Sequence, residues 1–93
     1  MDLSYALNKE ILFFDYMQEI INYCLNKNFD DVEEDFNELE SIVNNENCLN
    51  IIKEAKSIFY TIKEKITNPE DYTNSLKTLN KKLIMAYDTF RKN

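Results

Sequence analysis

Glycine, histidine and tryptophan are absent from this 93-residue chain, and proline occurs once. Without glycine, the positive-φ corners of tight hairpins and the phosphate-cradling loops of nucleotide-binding folds lose their usual residue, so an all-β or doubly wound architecture is hard to build. Without histidine, the chain lacks the commonest general base, the usual activator of a nucleophile and the Glu-x-x-His motif of di-iron bundles. No catalytic constellation converges among the remaining acids and tyrosines, and a non-enzymatic role is expected. The two cysteines, Cys24 and Cys48, are too few for a disulfide-stapled scaffold and lack the paired spacing of a zinc site. Both are expected to be reduced thiols. No basic leader precedes an apolar run in residues 1–10, and no later stretch is long enough to span a bilayer, which makes the cytoplasm the expected location.

What the chain does contain is helical periodicity. Apolar residues make up 44% of it, enough for one small domain with one core. The pattern predicts four helices, at about 3–25, 29–43, 48–66 and 69–91. In the first, Leu3, Leu7, Phe14, Met17, Ile21 and Cys24 recur every three or four positions and are the expected core row. The second places Phe29, Val32, Phe36, Leu39 and Val43 inward, with Asp30 and Glu33 spaced as a capping box. For the third the inward set is Ile51, Ile52, Ala55, Ile58, Phe59, Ile62 and Ile66, with Asn47 as the expected N-cap. The fourth opens on Asn68-Pro69-Glu70-Asp71, a capping side chain, a proline at the first helical position and two acids beside the positive end of the dipole. Leu76, Leu79, Leu83, Ala86 and Phe90 follow as its seam.

Asparagines punctuate the junctions at 26–28, 44–47 and 67–68, where Asn tolerates the left-handed geometry that glycine would otherwise supply. Such short connections force successive helices to lie antiparallel, so the expected fold is all-α, an up-down-up-down four-helix bundle in a single domain, with a homodimer as an open possibility.

Charge is unevenly distributed. Of the 17 acids, eight fall in residues 28–52, where there is no Lys or Arg; the formal net charge is −6, yet the rest of the chain is slightly basic. Asp30, Asp31, Glu34, Asp35 and Glu38 are the candidate partner-binding acids, because an unbalanced anionic face speeds encounter with a basic protein and can stand in for nucleic-acid phosphates. The alternative is that acids near a helix start favour the dipole and confer solubility, although the dipole acts only in the first turn. Nucleic acid and anionic lipid are not expected ligands for such a surface. Nor is a metal or cofactor expected: the run lacks the glycine and ligand spacing of an EF-hand.

A second row on the first helix, Tyr5, Leu12, Tyr16 and Tyr23, lies off the expected core and is the candidate partner or dimer interface, a widened core margin being the other reading. Ile84 and Met85 lie off the fourth helix's seam and either extend such a patch or stand alone. Cys48, at a helix N-terminus where thiolate is favoured, is a candidate for an intermolecular disulfide, set against an ordinary packing residue. Glu10 falls within the apolar arc of the first helix and needs either solvent or a Lys or Tyr of a partner.

In size, in lack of catalytic equipment and in the acidic run Asp30-Asp31-Val32-Glu33-Glu34-Asp35-Phe36-Asn37-Glu38, the chain resembles the small acidic helical immunity proteins of bacterial polymorphic-toxin systems, of colicin, contact-dependent-inhibition and Maf type. The resemblance implies a cognate toxin, often a nuclease, blocked by direct protein contact. A homodimeric structural or regulatory adaptor and a phage-encoded inhibitor of a host defence nuclease are the alternatives.

Overall fold

The computed structural model describes residues 3–65 and 67–92, without the side chains of residues 3–6 and 65. It is all-helical: α1 (Leu3–Leu25), α2 (Val32–Ile42), α3 (Glu46–Lys65) and α4 (Pro69–Lys92), with no strand among the described residues. Contacts run around a ring. α1 touches α2 and α4, and α3 touches the same two, the α3–α4 contact being the most extensive. Phe13 at the middle of α1 packs on Tyr87 and Phe90 near the end of α4, whereas the Cys24 carbonyl at the C-terminal end of α1 accepts from the Tyr72 hydroxyl early in α4. On α3, Cys48 meets Ala86 and Glu54 meets Lys82; on α2, Glu33 meets Tyr60 and Glu40 meets Lys56. In each pair the residue numbers run in opposite senses. The molecule is long and thin, 47 × 21 × 16 Å, so one layer of side chains fills its middle.

Helix ends follow local chemistry. Asn68 Oδ1 accepts the Glu70 and Asp71 amides at 2.8 and 3.3 Å, so α4 begins as its sequence predicts. α3 starts two residues earlier than expected, because Asn45 and not Asn47 supplies the cap, its Oδ1 accepting the Cys48 amide at 2.9 Å. α2 is shorter than the predicted 29–43. Asp31 precedes it without any side-chain cap bond, the expected capping box does not form, and Val43 leaves it in extended geometry (φ −107°, ψ 127°) while staying buried.

α1 closes in a Schellman motif, with the Asn28 amide donating to Tyr23 O at 2.8 Å and the Lys27 amide to Cys24 O at 3.1 Å. The residue that turns left-handed is Lys27 (φ 55°), not either flanking asparagine. Asn26 is spent otherwise, its side-chain amide donating to Asn22 O at 3.0 Å.

The core is Phe13, Met17, Ile20 and Cys24 from α1; Val32, Phe36, Leu39 and then Val43; Cys48, Ile52, Ala55, Phe59 and Ile62 from α3; and Leu76, Leu79, Leu83 and Ala86 from α4. The α2, α3 and α4 rows match expectation closely, with Phe29, Ile51, Ile58 and Phe90 half-buried at its margin and Ile66 outside the described residues. The α1 row corrects it in part: Met17 and Cys24 are buried as expected, and the Leu3 side chain lies outside the described residues. Phe13 and Ile20 are fully buried, while Leu7 and Phe14, expected inside, are 49% and 44% exposed and Ile21 is half-buried. The buried row of α1 therefore lies roughly 60° around the helix from the one its sequence suggests, at about 100° per residue. Glu10, half-buried, lies near the edge of the true core row and not within it.

A left-handed lysine carries a steric cost of about 1–2 kcal/mol that glycine avoids, against which Gly adds chain entropy to the unfolded state and Lys27→Gly removes an ammonium 5.2 Å above the Tyr72 ring. Lys27→Gly is expected to raise unfolding free energy in urea by about 0.5–1 kcal/mol. A loss of stability would show that Lys27 contributes more through Tyr72 than its backbone costs.

Candidate protein-binding face

α2 sorts its polar side chains by angle. Glu33, Asn37 and Glu40, spaced four and three apart, look toward α3, where the Tyr60 hydroxyl donates to Glu33 at 2.7 Å and Lys56 Nζ donates to Asn37 Oδ1 at 2.9 Å and lies 3.8 Å from Glu40. Asp31, Glu34, Asp35 and Glu38 run along the opposite flank, toward α1. Of these, Asp31, Glu34 and Glu38 are exposed, as is Asp30 just ahead of the helix. The two described ion pairs, Lys56–Glu40 and Lys82–Glu54, involve none of them.

Asp35 departs from the expected outward-facing set. It is only 8% exposed, packed within the α1 side of the core, and its Oδ2 has no hydrogen-bond partner. Burial first, and then Glu19, Asp31, Glu34 and Glu38 around it, push its carboxyl from 3.8 up to about 6. A group so placed does not present itself to a partner; its raised carboxyl reflects loss of solvent first and the surrounding acids second.

The tyrosine row borders the same field. Tyr16 and Tyr23 are half-buried and pack against the core beside α2, so they form a core margin and not a separate outward stripe. Loss of solvent and then Glu38, Asp35, Glu19 and Glu34 raise the Tyr16 hydroxyl, whereas Glu19 is the largest influence raising Tyr23. Leu12 is 43% exposed, and the Tyr5 side chain lies outside the described residues. Glu19, exposed on α1, thus joins Asp31, Glu34 and Glu38 across the helix boundary. Its distance from the acidic run in sequence hid it; its position seven residues from both Leu12 and Asn26, on the flank of Tyr16 and Tyr23, was the available signal.

The cysteines stay apart. Cys24 lies level with Tyr72 and Cys48 level with Ala86, about 21 Å away along α4 at 1.5 Å per residue. Cys48 is fully buried, its thiol donating to Ala86 O at 3.2 Å, and burial pushes both thiols up to about 11. Of the two readings of Cys48, the structure favours the packing residue: a thiol so buried is not accessible for an intermolecular disulfide in the folded chain, and desolvation outweighs the helix N-terminus.

Elsewhere, Glu40, Lys53, Lys56, Ser57 and Tyr60 line an open depression between α2 and α3. Among the described residues no three acids or cysteines come together as metal ligands, and no helix is long and apolar enough to cross a membrane. Compared with protein-family models, with curated proteins and with solved structures, the chain matches none.

Asp35 yields a pH signature. Its carboxyl titrates higher in the folded state (about 6) than its ordinary 3.8, so the folded protein binds the extra proton and ionisation opposes folding above about pH 6. That cost fades as pH falls toward 4. Asp35→Asn is expected to stabilise the protein at pH 7 by on the order of 1–3 kcal/mol, the gain shrinking to near zero at pH 4. Equal unfolding midpoints for the two proteins at pH 7 would contradict the burial of this carboxylate.

Proposed function

We propose that this chain is a non-catalytic binding protein, an antiparallel up-down-up-down bundle that neutralises a basic protein toxin, of nuclease type, by direct contact through the face built from α1 and α2. The observation that carries this reading is the group Glu19, Asp31, Glu34 and Glu38, exposed together and outside both described ion pairs. Carboxylates held at this spacing present acceptors to the Lys and Arg side chains that line a nucleic-acid groove, and their summed field accelerates encounter. Asp30 extends the face at one end, and the apolar edges of Tyr16 and Tyr23 and the exposed Leu12 give it contact area beyond charge. Asp35 supports the face from beneath instead of touching the partner. A phage-encoded inhibitor of a defence nuclease would use the same face by the same physics.

The test is capture from a lysate of the source cells at increasing salt. Wild-type protein is expected to retain a basic polypeptide, with retention falling as ionic strength rises, and the triple variant Asp31→Lys, Glu34→Lys, Glu38→Lys is expected to bind at least about tenfold more weakly. Co-expression should relieve the toxicity of the captured partner. Undiminished binding by the triple variant would remove the electrostatic mechanism.

A further inference from the structure

A second surface lies on another side of α1. Leu7, Ile11, Phe14, Gln18, Ile21 and Leu25 follow one another at alternating four- and three-residue steps, the 3.5-residue period of a coiled-coil seam. Leu7, Ile11, Phe14 and Leu25 are 49%, 57%, 44% and 59% exposed, Gln18 is exposed and Ile21 half-buried. The row stands roughly 110° around the helix from the core row. On its α4 side, the Tyr87 ring packs 5.8 Å from that of Phe14, and Ile84, one turn earlier on α4, is 44% exposed. Because α1 and α4 run in opposite senses, Ile84 falls level with the middle of the row.

We propose that a second copy of this chain covers this row, the two α1 helices packing antiparallel about a two-fold axis level with Tyr16. The order of side chains supports self-pairing. Read inward from either end the row gives Leu, Ile and then Phe or Gln, so the axis sets Leu7 opposite Leu25, Ile11 opposite Ile21 and Phe14 opposite Gln18. A two-fold contact requires just such a self-complementary patch. A single polar residue in an otherwise apolar seam also selects register. Antiparallel pairing about this axis keeps both α4 helices on one side, where the two Ile84 side chains meet.

Area points the same way. At about 200 Å² per large apolar side chain, Leu7, Ile11, Phe14, Leu25 and Ile84 leave on the order of 500 Å² in water, toward the upper end of the ~300–600 Å² of the largest apolar patch on an ordinary monomer, a patch that is often functional. Two copies would bury about 1,000 Å² from these residues alone, before the rim of Gln18, Ile21, Asn22 and Tyr87 brings the contact toward the ~1,200–2,000 Å² of stable interfaces. The anionic face lies on the α2 side of α1, away from this row. The dimer therefore keeps two anionic faces open, and its existence does not depend on the toxin-binding reading.

Sedimentation equilibrium of the purified full chain, with no partner present, is expected to give twice the 11.1 kDa monomer mass at micromolar concentration. Ile11→Glu with Phe14→Glu is expected to weaken association by about a hundredfold or more while leaving helicity unchanged, since both side chains are already half in water. Leu12→Glu, also exposed but off the row, should leave the dimer intact. Asp15, exposed on the side of the row away from α4, comes near its own copy at the antiparallel axis, so Asp15→Asn should tighten the dimer several-fold. A chain that stays monomeric, or a dimer that survives the double substitution, overturns the proposal; an unchanged or weakened Asp15→Asn dimer overturns the antiparallel arrangement. A monomer whose lysate partner is lost on the double substitution would assign the row to that partner instead.

Discussion

The insertion of Phe13 between α1 and the end of α4 decides which way every other side chain of α1 points. Its ring is fully buried, stacked on Phe90 with centroids 4.9 Å apart and tilted against Tyr87 at 5.7 Å. Met17, Ile20 and Cys24 continue the same line inward. Once that row is inside, helical geometry leaves no freedom: Tyr16, Glu19 and Tyr23 turn toward α2, and Leu7, Ile11 and Phe14 turn out beside α4. Both candidate surfaces are consequences of one packing choice.

On the α2 side, that choice concentrates negative charge where it opposes folding. Asp35 is carried under α1 without a hydrogen-bond partner, ringed by Glu19, Asp31, Glu34 and Glu38. The α3 flank of the same helix is treated differently, with Tyr60 and Lys56 satisfying Glu33, Asn37 and Glu40. α2 thus has one flank used for structure and one left charged. A charged flank kept at the expense of stability is what the proposed encounter with a basic partner would require, since such charge serves association and not the fold.

Much of the fold was legible in the sequence. Asn68-Pro69-Glu70-Asp71 marked the start of α4 because cap, proline and acids all favour the same backbone geometry there. The core of α3 was equally plain, one row of Ile, Ala and Phe at helical spacing. α1 was not, and the reason is physical: Phe13-Phe14 and Ile20-Ile21 are doublets, so two apolar rows run side by side and periodicity fits either. Tyr87 of α4 touches both Phe13 and Phe14; what separates the rows is tertiary packing, with Phe90 stacked on Phe13 and Met17, Ile20 and Cys24 buried in line with it. The run Asn44-Asn45-Glu46-Asn47 offered several capping asparagines, and which one caps depends on where α2 lets go of the chain. Of the site, the exposed acids of α2 could be read directly, whereas the burial of Asp35 and Cys48 and the arrival of Glu19 required knowing how α1 is turned.

The rotation of α1 is open to a direct measurement, a paired comparison of Phe13→Ala and Phe14→Ala by urea unfolding. With Phe13 fully buried and Phe14 at the surface, Phe13→Ala should cost about 3–5 kcal/mol, much of the stability of a domain this size, and Phe14→Ala less than about 1 kcal/mol. Equal losses, or the larger loss at Phe14, would contradict the packing from which both surfaces follow.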